Sequence, residues 1–168
     1  APIPNQEICT NTTIANNVIR KIGLDYLPAT AINNMTHYGF HVLHNDIADI
    51  QYMGFHQRTH AINLPPSAGF GETVASFNRI TLANNGSRYG VADGAYLYSN
   101  GVWPNSRFEG NDLFGIDSPT GQMRGMMYDD ASYGLVGLSN VVRNIKPGIN
   151  GYFLYTALAG YKNFLIGS

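Results

Sequence analysis

The sequence predicts an all-β fold, a right-handed parallel β-helix solenoid of about five to six coils whose ends are uncapped. Three observations predict it: a short motif returns at similar intervals, a second series of strand-like segments accompanies it, and helix signals are weak throughout. Because every repeat runs in the same sense, strands of successive repeats must lie side by side and parallel. Parallel crossovers of this kind are right-handed almost without exception, and stacked coils lie about 4.8 Å apart.

The recurring motif is Asn-x-aliphatic-x-x-Ile, and it occurs five times at nearly even intervals along the chain. A small motif that returns in this way is typical of a solenoid. Nine of the ten apolar slots hold Ile, Leu or Val, and the exception is Ala83. We expect the Asn side chains to stack into an amide ladder at a turn, where Asn also tolerates the left-handed backbone conformation. The ladder residues are Asn17, Asn45, Asn78, Asn111 and Asn140.

A second short segment of apolar or aromatic residues follows each motif after a loop. Four of these five segments open on Gly, which is typical of a strand that is entered through a flexible turn. An antiparallel sandwich or jelly roll also has recurring Asn-rich turns, but it does not explain the constant spacing between the Asn and the aliphatic slots. The second segments are 31–32, 54–56, 94–98, 125–128 and 151–155.

The composition bounds the class of protein. The 168 residues suffice for one domain, 1–168. Charged residues make up 12% and the net charge is −1, which argues against a nucleic-acid partner and a polybasic membrane surface. There is no run of 18 apolar residues, so no transmembrane helix is predicted. Polar but weakly charged surfaces suit contacts with sugars or packing into assemblies.

Two acidic stretches carry a family resemblance. Asp-Gly-Ala-Tyr-Leu-Tyr-Ser-Asn-Gly at 93–101 and Gly-Met-Met-Tyr-Asp-Asp-Ala-Ser at 125–132, with the coil-like stretches 11–23 and 41–55, resemble right-handed parallel β-helix proteins of the pectate-lyase-like superfamily. That class includes glycoside hydrolases, polysaccharide lyases and phage tailspikes, and the two acidic stretches are most similar to its glycoside hydrolases.

The resemblance implies a secreted, carbohydrate-active protein that acts on a polysaccharide or oligosaccharide, most often as a glycoside hydrolase. It implies no resident cofactor, although a lyase would use calcium. It also implies Asp93, Asp129 and Asp130 as candidate catalytic acids. The chain departs from the family pattern at Ala95, Met127 and Asp130, where Gly, Tyr and Glu are preferred.

The second segments predict two outward columns of side chains, because side chains alternate along a strand. Aromatic, cationic, amide and carboxylate groups on one face suit sugar binding, and the alternative is a lateral face that loops cover. Trp103, in the loop that follows, is either a platform for a sugar or an anchor for that loop. The first column is His56, Tyr98, Met127 and Phe153, and the second is Arg58, Asn100, Asp129 and Tyr155. The candidate substrate-binding residues are His56, Arg58, Tyr98, Asn100, Trp103 and Tyr155.

Three functions remain open. Glycoside hydrolysis needs two carboxyl groups, about 5 Å apart for retention and roughly 6.5–9.5 Å apart for inversion, yet Asp93 lies several residues upstream of the Asp129 column. A polysaccharide lyase would need a basic residue, for which Arg58 is the first candidate and Arg124 a weaker one. A non-catalytic adhesin or tailspike-like module would bind polysaccharide without cleaving it.

The histidines and the chain ends complete the predictions. All five histidines lie between 37 and 60, but residues four apart on a strand are about 13 Å apart, so we predict no metal site. The chain stops where a sixth ladder Asn is expected, and an uncapped coil exposes unpaired strand edges. Either the chain is a segment of a longer β-helix, or self-association or another chain covers its ends.

Overall fold

A computed structural model describes residues 9–26, 28–35, 37–58, 71–82, 94–115 and 124–144, together with two short strands near the C-terminus. Every regular element in this part of the chain is a β-strand, which confirms the all-β prediction. The strands are β1 Cys9–Ala15, β2 Val18–Arg20, β3 Thr30–Asn34, β4 His37–Leu43, β5 Asp46–Ile50, β6 Met53–Arg58, β7 Val74–Ser76, β8 Arg79–Leu82, β9 Ala95–Glu109, β10 Asp112–Phe114, β11 Arg124–Leu138, β12 Val141–Arg143, β13 Leu154–Thr156 and β14 Phe164–Ile166.

The strands stack into three walls, and every pairing between them is parallel. The long strands β9 and β11 each pass from wall A into wall B, so these two walls form one eight-stranded sheet, and wall C is a six-stranded sheet. Wall A comprises β3, β6, the first parts of β9 and β11, and β13. Wall B comprises β1, β4, β7 and the second parts of β9 and β11. Wall C comprises β2, β5, β8, β10, β12 and β14.

The chain is therefore a parallel β-solenoid, as the repeat predicts. The described residues amount to about three turns, slightly fewer than the five to six coils expected for the whole sequence. Wall C holds six strands. Several of the segments that connect them lie outside the described residues, so fewer complete turns than strands are described.

The amide ladder is present and buried. The Oδ1 atom of Asn78 accepts both the backbone N–H of Asn45 at 2.9 Å and its Nδ2 at 3.1 Å. The Nδ2 of Asn78 in turn donates to the carbonyl of Val42 at 2.9 Å. Each inner rung repeats this arrangement, so its buried amide has partners on both sides at little desolvation cost. The same pair of bonds joins Asn17 to Asn45, Asn78 to Asn111 and Asn111 to Asn140.

The residue that turns the corner is the one before each ladder Asn. The expectation that the Asn itself adopts the left-handed conformation is wrong, since no ladder Asn is among the described residues with positive φ. Left-handed backbone costs a non-glycine residue roughly 1–2 kcal/mol, and the ladder bonds that the turn makes possible offset this cost. The corner residues, with φ from 53° to 63°, are Asn16, His44, Phe77, Gly110 and Ser139.

The first aliphatic slot of the motif forms the predicted internal column along wall C. Its members on the three central rungs, Ile47, Ile80 and Leu113, have no exposed surface. The second slot departs from the pattern at the third repeat, where a register shift pairs Ile50 with Leu82 instead of Ala83. Ala83 itself lies outside the described residues.

Part of a sixth copy of the motif follows at a shorter interval, with Asn163 and Leu165 in place but Ser168 where the motif has Ile. Leu165 pairs with Val142, and Asn163 stands two positions before Leu165 just as Asn140 stands two positions before Val142. Asn163 follows Asn140 more closely than any earlier ladder Asn follows its predecessor, so a search at the earlier intervals misses it. Asn163 itself lies outside the described residues, so the expectation that the chain stops before a sixth ladder Asn stays a prediction.

The outer face of wall C carries a network of charges. Arg143 binds Asp112 through two hydrogen bonds of 2.8 and 2.6 Å. The Phe114 ring has the guanidinium carbons of Arg79 and Arg143 each 4.7 Å from its centre. Because these groups are partly exposed, each ion pair contributes at most about 1 kcal/mol. Their partners are within the wall, so this face is largely satisfied by its own residues.

We expect Asn78→Ala to destabilise the fold by roughly 2–4 kcal/mol, because it leaves buried donors on Asn45 and a buried carbonyl on Val42 without partners. The measurement is the free energy of unfolding in urea. The matched control is Asn17→Ala at the exposed first rung, which we expect to cost less than half as much. An equal loss of unfolding free energy in the two variants would show that the stabilisation by the ladder does not depend on burial of the amide.

We expect Gly110→Ala to cost more stability than Gly115→Ala. Both glycines have positive φ, of 63° and 79°, so the left-handed strain of roughly 1–2 kcal/mol is common to both. A Cβ at Gly110 would lie 2.6 Å from the Phe77 ring, whereas a Cβ at Gly115 would meet nothing within 4 Å. In a Phe77→Ala background the excess cost of Gly110→Ala should disappear from the urea unfolding curve. An excess that persists there would contradict the steric explanation.

Candidate functional site

The outer face of wall A brings together most of the side chains that the sequence predicts for one site. His56 pairs with Tyr98 and Tyr98 with Met127, while Arg58 pairs with Asn100 and Asn100 with Asp129. The first three members of both predicted columns are therefore in register. They come from β6, β9 and β11, on three successive coils.

The last member of each predicted column is misplaced. Tyr155 lies opposite Met127 and not beside Asp129, so it continues the His56 column in the position expected for Phe153. Aligning the last two segments on their opening glycines led to this error, because that alignment places Leu154 opposite Tyr128, whereas Leu154 pairs with Met126. The side chain of Tyr155 lies outside the described part of the structure.

A chain of polar contacts crosses this face. The Nε2 atom of His56 lies 2.8 Å from Oδ1 of Asn100, and Nδ2 of Asn100 donates a long bond of 3.4 Å to the Tyr98 hydroxyl. That hydroxyl donates to Oδ2 of Asp129 at 2.8 Å. The His56 and Tyr98 rings meet edge to face at 4.9 Å. Four side chains from three coils thus hold one another in fixed orientations.

Most of this network is buried. Tyr98 and Asn100 are only 6% and 5% exposed, and Met127 beside them packs with Met53 and Ala95 in a small apolar cluster. Arg58 is exposed, whereas His56 and Asp129 are partly exposed. A ligand would therefore meet the rim formed by Arg58, His56 and Asp129, while Tyr98 and Asn100 support that rim from below.

Burial sets the protonation of the two titratable rings. Burial raises the pKa of the Tyr98 hydroxyl, and the hydrogen bond to the Asp129 carboxylate raises it further. Tyr98 therefore remains a protonated donor to Asp129. Burial also lowers the pKa of His56, with the Asn100 bond opposing this effect and the nearby Arg58 charge adding to it. Because Oδ1 of Asn100 accepts, a neutral His56 in this contact carries its hydrogen on Nε2.

Trp103 serves as an anchor in the described structure. Its ring is completely buried, and its Nε1 donates to the carbonyl of Asn100 at 2.7 Å. The bond fixes the bend where β9 passes from wall A into wall B. This placement agrees with the loop-anchor interpretation and keeps the carbonyl of Asn100 in position.

Ser132 is a supporting residue that the sequence interpretation did not single out. Its Oγ lies 2.7 Å from the Ser99 carbonyl and 2.8 Å from the Asp129 carbonyl. The hydroxyl therefore ties the bend of β11, just after Asp129, to the preceding coil. Its position shortly after Asp129, within the same acidic stretch, is the signal that could have identified it.

The side chains of the other candidate acids lie outside the described part of the structure. Asp93 and His60 lie outside the described residues, and Asp130 is described only as part of the β11 backbone. Asp129 is thus the one candidate acid whose side chain the structure places. The described histidines are dispersed: His37 contacts Asn34 at 3.1 Å, and His44 stacks on Phe77 at 5.3 Å. In the described part of the chain, no three potential metal-binding side chains come together.

Two open clefts of the described structure lie on the outer face of wall B, away from the predicted site. One cleft of about 540 Å³ contains the exposed Glu72, whose backbone is left-handed with φ 50°. A neighbouring cleft of about 480 Å³ shares Asn105 and Arg107 with it. None of the predicted site residues lines either cleft. The first cleft is lined by His41, Leu43, Glu72, Val74, Asn105 and Arg107.

Comparisons with protein-family models, with curated proteins and with solved structures yield no match. The described residues also include no helix with the length and apolar character that a membrane span requires. The fold and the wall A network are therefore the observations on which a function must be argued.

We expect stability to fall as the pH drops below about 6.5 because of His56. Its folded pKa is lowered by burial, so the unfolded state binds the proton more readily and stabilisation is present only above the unfolded pKa. The measurement is the urea unfolding midpoint between about pH 7.5 and pH 5.0, which brackets the unfolded pKa. His56→Gln should show a shallower decline, whereas the control His44→Gln removes an exposed imidazole and should retain the wild-type decline. An unchanged slope in His56→Gln would contradict the assignment.

Proposed function

We propose that the protein is a secreted, carbohydrate-active β-helix protein that hydrolyses a glycosidic bond in a polysaccharide or oligosaccharide. The observation that carries the proposal is the register of Arg58, Asn100 and Asp129, which form one column on three successive coils. Successive positions of this column lie about 4.8 Å apart along the solenoid axis. Arg58 and Asp129 stand on either side of the buried Asn100, and their guanidinium and carboxylate groups suit the hydroxyl groups of an extended sugar chain. The resemblance of the two acidic stretches to β-helix glycoside hydrolases supports the same class.

Asp129 would act as the nucleophile or general base. Its Oδ2 accepts the hydrogen bond of Tyr98, which fixes the carboxylate as an acceptor at the rim of the face. The second carboxyl group that hydrolysis needs would come from Asp93 or Asp130. Arg58, exposed at the end of the column, would bind a sugar hydroxyl or an acidic sugar.

A second candidate function is polysaccharide binding without cleavage, as in an adhesin or a tailspike-like module. The burial of Tyr98 and Asn100 favours this function, because a buried hydrogen-bond network can stabilise a binding surface without taking part in catalysis. The open clefts on wall B would then provide the contact surface, with Glu72 and Arg107 as hydrogen-bonding groups.

The decisive variant is Asp129→Asn, which keeps the shape of the side chain and the hydrogen bond from Tyr98 but removes the charge. We expect the release of reducing ends from a panel of soluble polysaccharides to fall by about 10²–10⁴-fold, the usual range for loss of a catalytic acid or base. The matched control is Asp112→Asn, which removes a carboxylate from wall C and should leave the rate unchanged. Urea unfolding of both variants checks that they are folded.

The other outcomes discriminate between the functions. Equal activity of Asp129→Asn and the wild type would overturn the role of Asp129. Binding of a polysaccharide by the wild type with no release of reducing ends would overturn hydrolysis in favour of the binding module. A polysaccharide lyase would instead form products that absorb in the ultraviolet, and chelation of calcium would stop their formation.

A further inference from the structure

We propose that the two clefts on wall B together form a binding groove for an extended neutral polysaccharide, with Glu72 as its main hydrogen-bonding group. The inference rests on the carbohydrate class of the proposed function but not on cleavage, because the groove and Asp129 lie on different walls. A polymer held in the groove would stay attached whether or not wall A cleaves it.

The two clefts lie side by side across four successive coils. Asn105 and Arg107 line both of them, so the first cleft adjoins the second. The first cleft extends back to β4 and β7, and the second extends forward to β11. The groove therefore follows the solenoid axis, along which equivalent positions recur about every 4.8 Å. An elongated ligand with a repeating structure matches such a surface better than a compact ligand does.

The groove combines an apolar lining with exposed polar groups. Glu72, Asn105 and Arg107 are exposed and supply a carboxylate, an amide and a guanidinium. Sugar rings have the same two-sided character, since their C–H groups form apolar faces and their hydroxyl groups lie at the ring edge. Ligand sites generally join apolar surface with a few placed polar groups. The apolar lining consists of Leu43, Val74, Val136 and Leu138.

Glu72 occupies a position that its backbone does not favour. It is left-handed, with φ 50°, in a column of five left-handed residues at the corner between walls A and B. Asn or Gly, which adopt this conformation most readily, occupies each of the other four positions. Residues in sparsely populated conformations cluster at ligand sites, so the choice of Glu here points to a role for its carboxylate. The other four residues are Asn11, Gly39, Asn105 and Gly134.

A neighbouring hydroxyl group orients the Glu72 carboxylate. Tyr38, on the preceding coil, pairs with Gly71 and so lies beside Glu72. The carboxylate raises the pKa of the Tyr38 hydroxyl, chiefly through a hydrogen bond, so the hydroxyl remains protonated and donates. A carboxylate has several acceptor sites, and those that Tyr38 does not use can accept from the hydroxyl groups of a ligand.

The charges of the groove favour a neutral polymer over an acidic one. The Arg107 guanidinium is paired with Glu109 at 3.0 Å, so its charge is already opposed. The Glu72 carboxylate, beside the neutral Tyr38 hydroxyl, adds negative charge. An acidic polysaccharide would therefore meet a like charge, which is costly, whereas the hydroxyl groups of a neutral polymer can donate to Glu72.

The test is affinity electrophoresis of the full chain in native gels that contain dextran, xyloglucan, galactomannan or polygalacturonate. We expect at least one of the three neutral polymers to retard the wild type and the acidic polygalacturonate not to do so. Glu72→Asn should weaken binding by about 10- to 100-fold, the loss expected for a hydrogen bond to a charged group. Its urea unfolding midpoint should not fall, because Asn tolerates the left-handed backbone better than Glu does.

Asp49→Asn is the matched control. Asp49 is also left-handed, with φ 57°, but it lies in β5 on wall C, so the variant removes a carboxylate from a left-handed residue outside the groove. It should bind like the wild type. Val136→Lys, which places a charge in the apolar lining of the second cleft, should weaken binding if both clefts hold the polymer.

Asp129→Asn separates the groove from the proposed catalytic site. This variant should lose the release of reducing ends and still bind the polymer, and repeating the groove variants in its background prevents cleavage from shortening the polymer. Equal binding by Glu72→Asn and the wild type would overturn the groove and leave hydrolysis untouched. A loss of binding in Asp129→Asn but not in Glu72→Asn would also overturn the groove.

Three further outcomes would contradict the proposal. A lower unfolding midpoint together with weaker binding in Glu72→Asn would assign Glu72 a structural role instead. Retardation of the wild type by polygalacturonate alone would overturn the neutral class of ligand. A wild type that none of the four polymers retards would overturn the groove and the carbohydrate class together.

Discussion

The bifurcated hydrogen bond between successive ladder Asn side chains is the constraint on which the solenoid depends. From Asn45 to Asn140, each Oδ1 accepts two hydrogen bonds from the preceding rung. The Nδ2 of each rung also donates to a carbonyl, as Asn111 does with Ala75 at 2.9 Å. In a dry interior such a satisfied network is strong, and a partly satisfied one is costly. A slip of one residue would break it and turn the aliphatic column of wall C outward. The ladder therefore fixes the register of the coils.

The ladder also determines which residues the corners tolerate. Because the residue before each Asn must be left-handed, the corner accepts side chains that project outward, and these differ from coil to coil. His44 stacks on Phe77 at 5.3 Å, and the Phe77 ring in turn covers Gly110. The corner position thus has no common residue type. A sequence pattern therefore does not reveal it, and the sequence alone suggested the recurring Asn as the left-handed residue.

The sequence alone was sufficient to predict the register of wall C but not the full arrangement of wall A. The motif spacing predicted parallel coils, the ladder and the Ile47–Ile80–Leu113 column, because one short segment contains both the Asn and the aliphatic slots. The stretch that leads from the ladder Asn to the His56 column differs in length from coil to coil. The spacing of the ladder residues therefore does not predict which residues of wall A lie opposite one another. The position of Tyr155 and the burial of Tyr98 therefore depend on three-dimensional packing. These stretches are 45–56, 78–98, 111–127 and 140–155.

The outer faces of walls C and A differ in how many of their polar groups remain available to a ligand. On wall C, ion pairs such as Arg143 with Asp112 lie within the wall and occupy the charged groups. On wall A, the buried Tyr98 and Asn100 hold a carboxylate and an imidazole at the rim, so the network contributes orientation and not contact area. A rigid support beneath an accessible acid is what preorganisation requires. Removing Tyr98 would therefore alter the site through the position of Asp129 and not through a lost sugar contact.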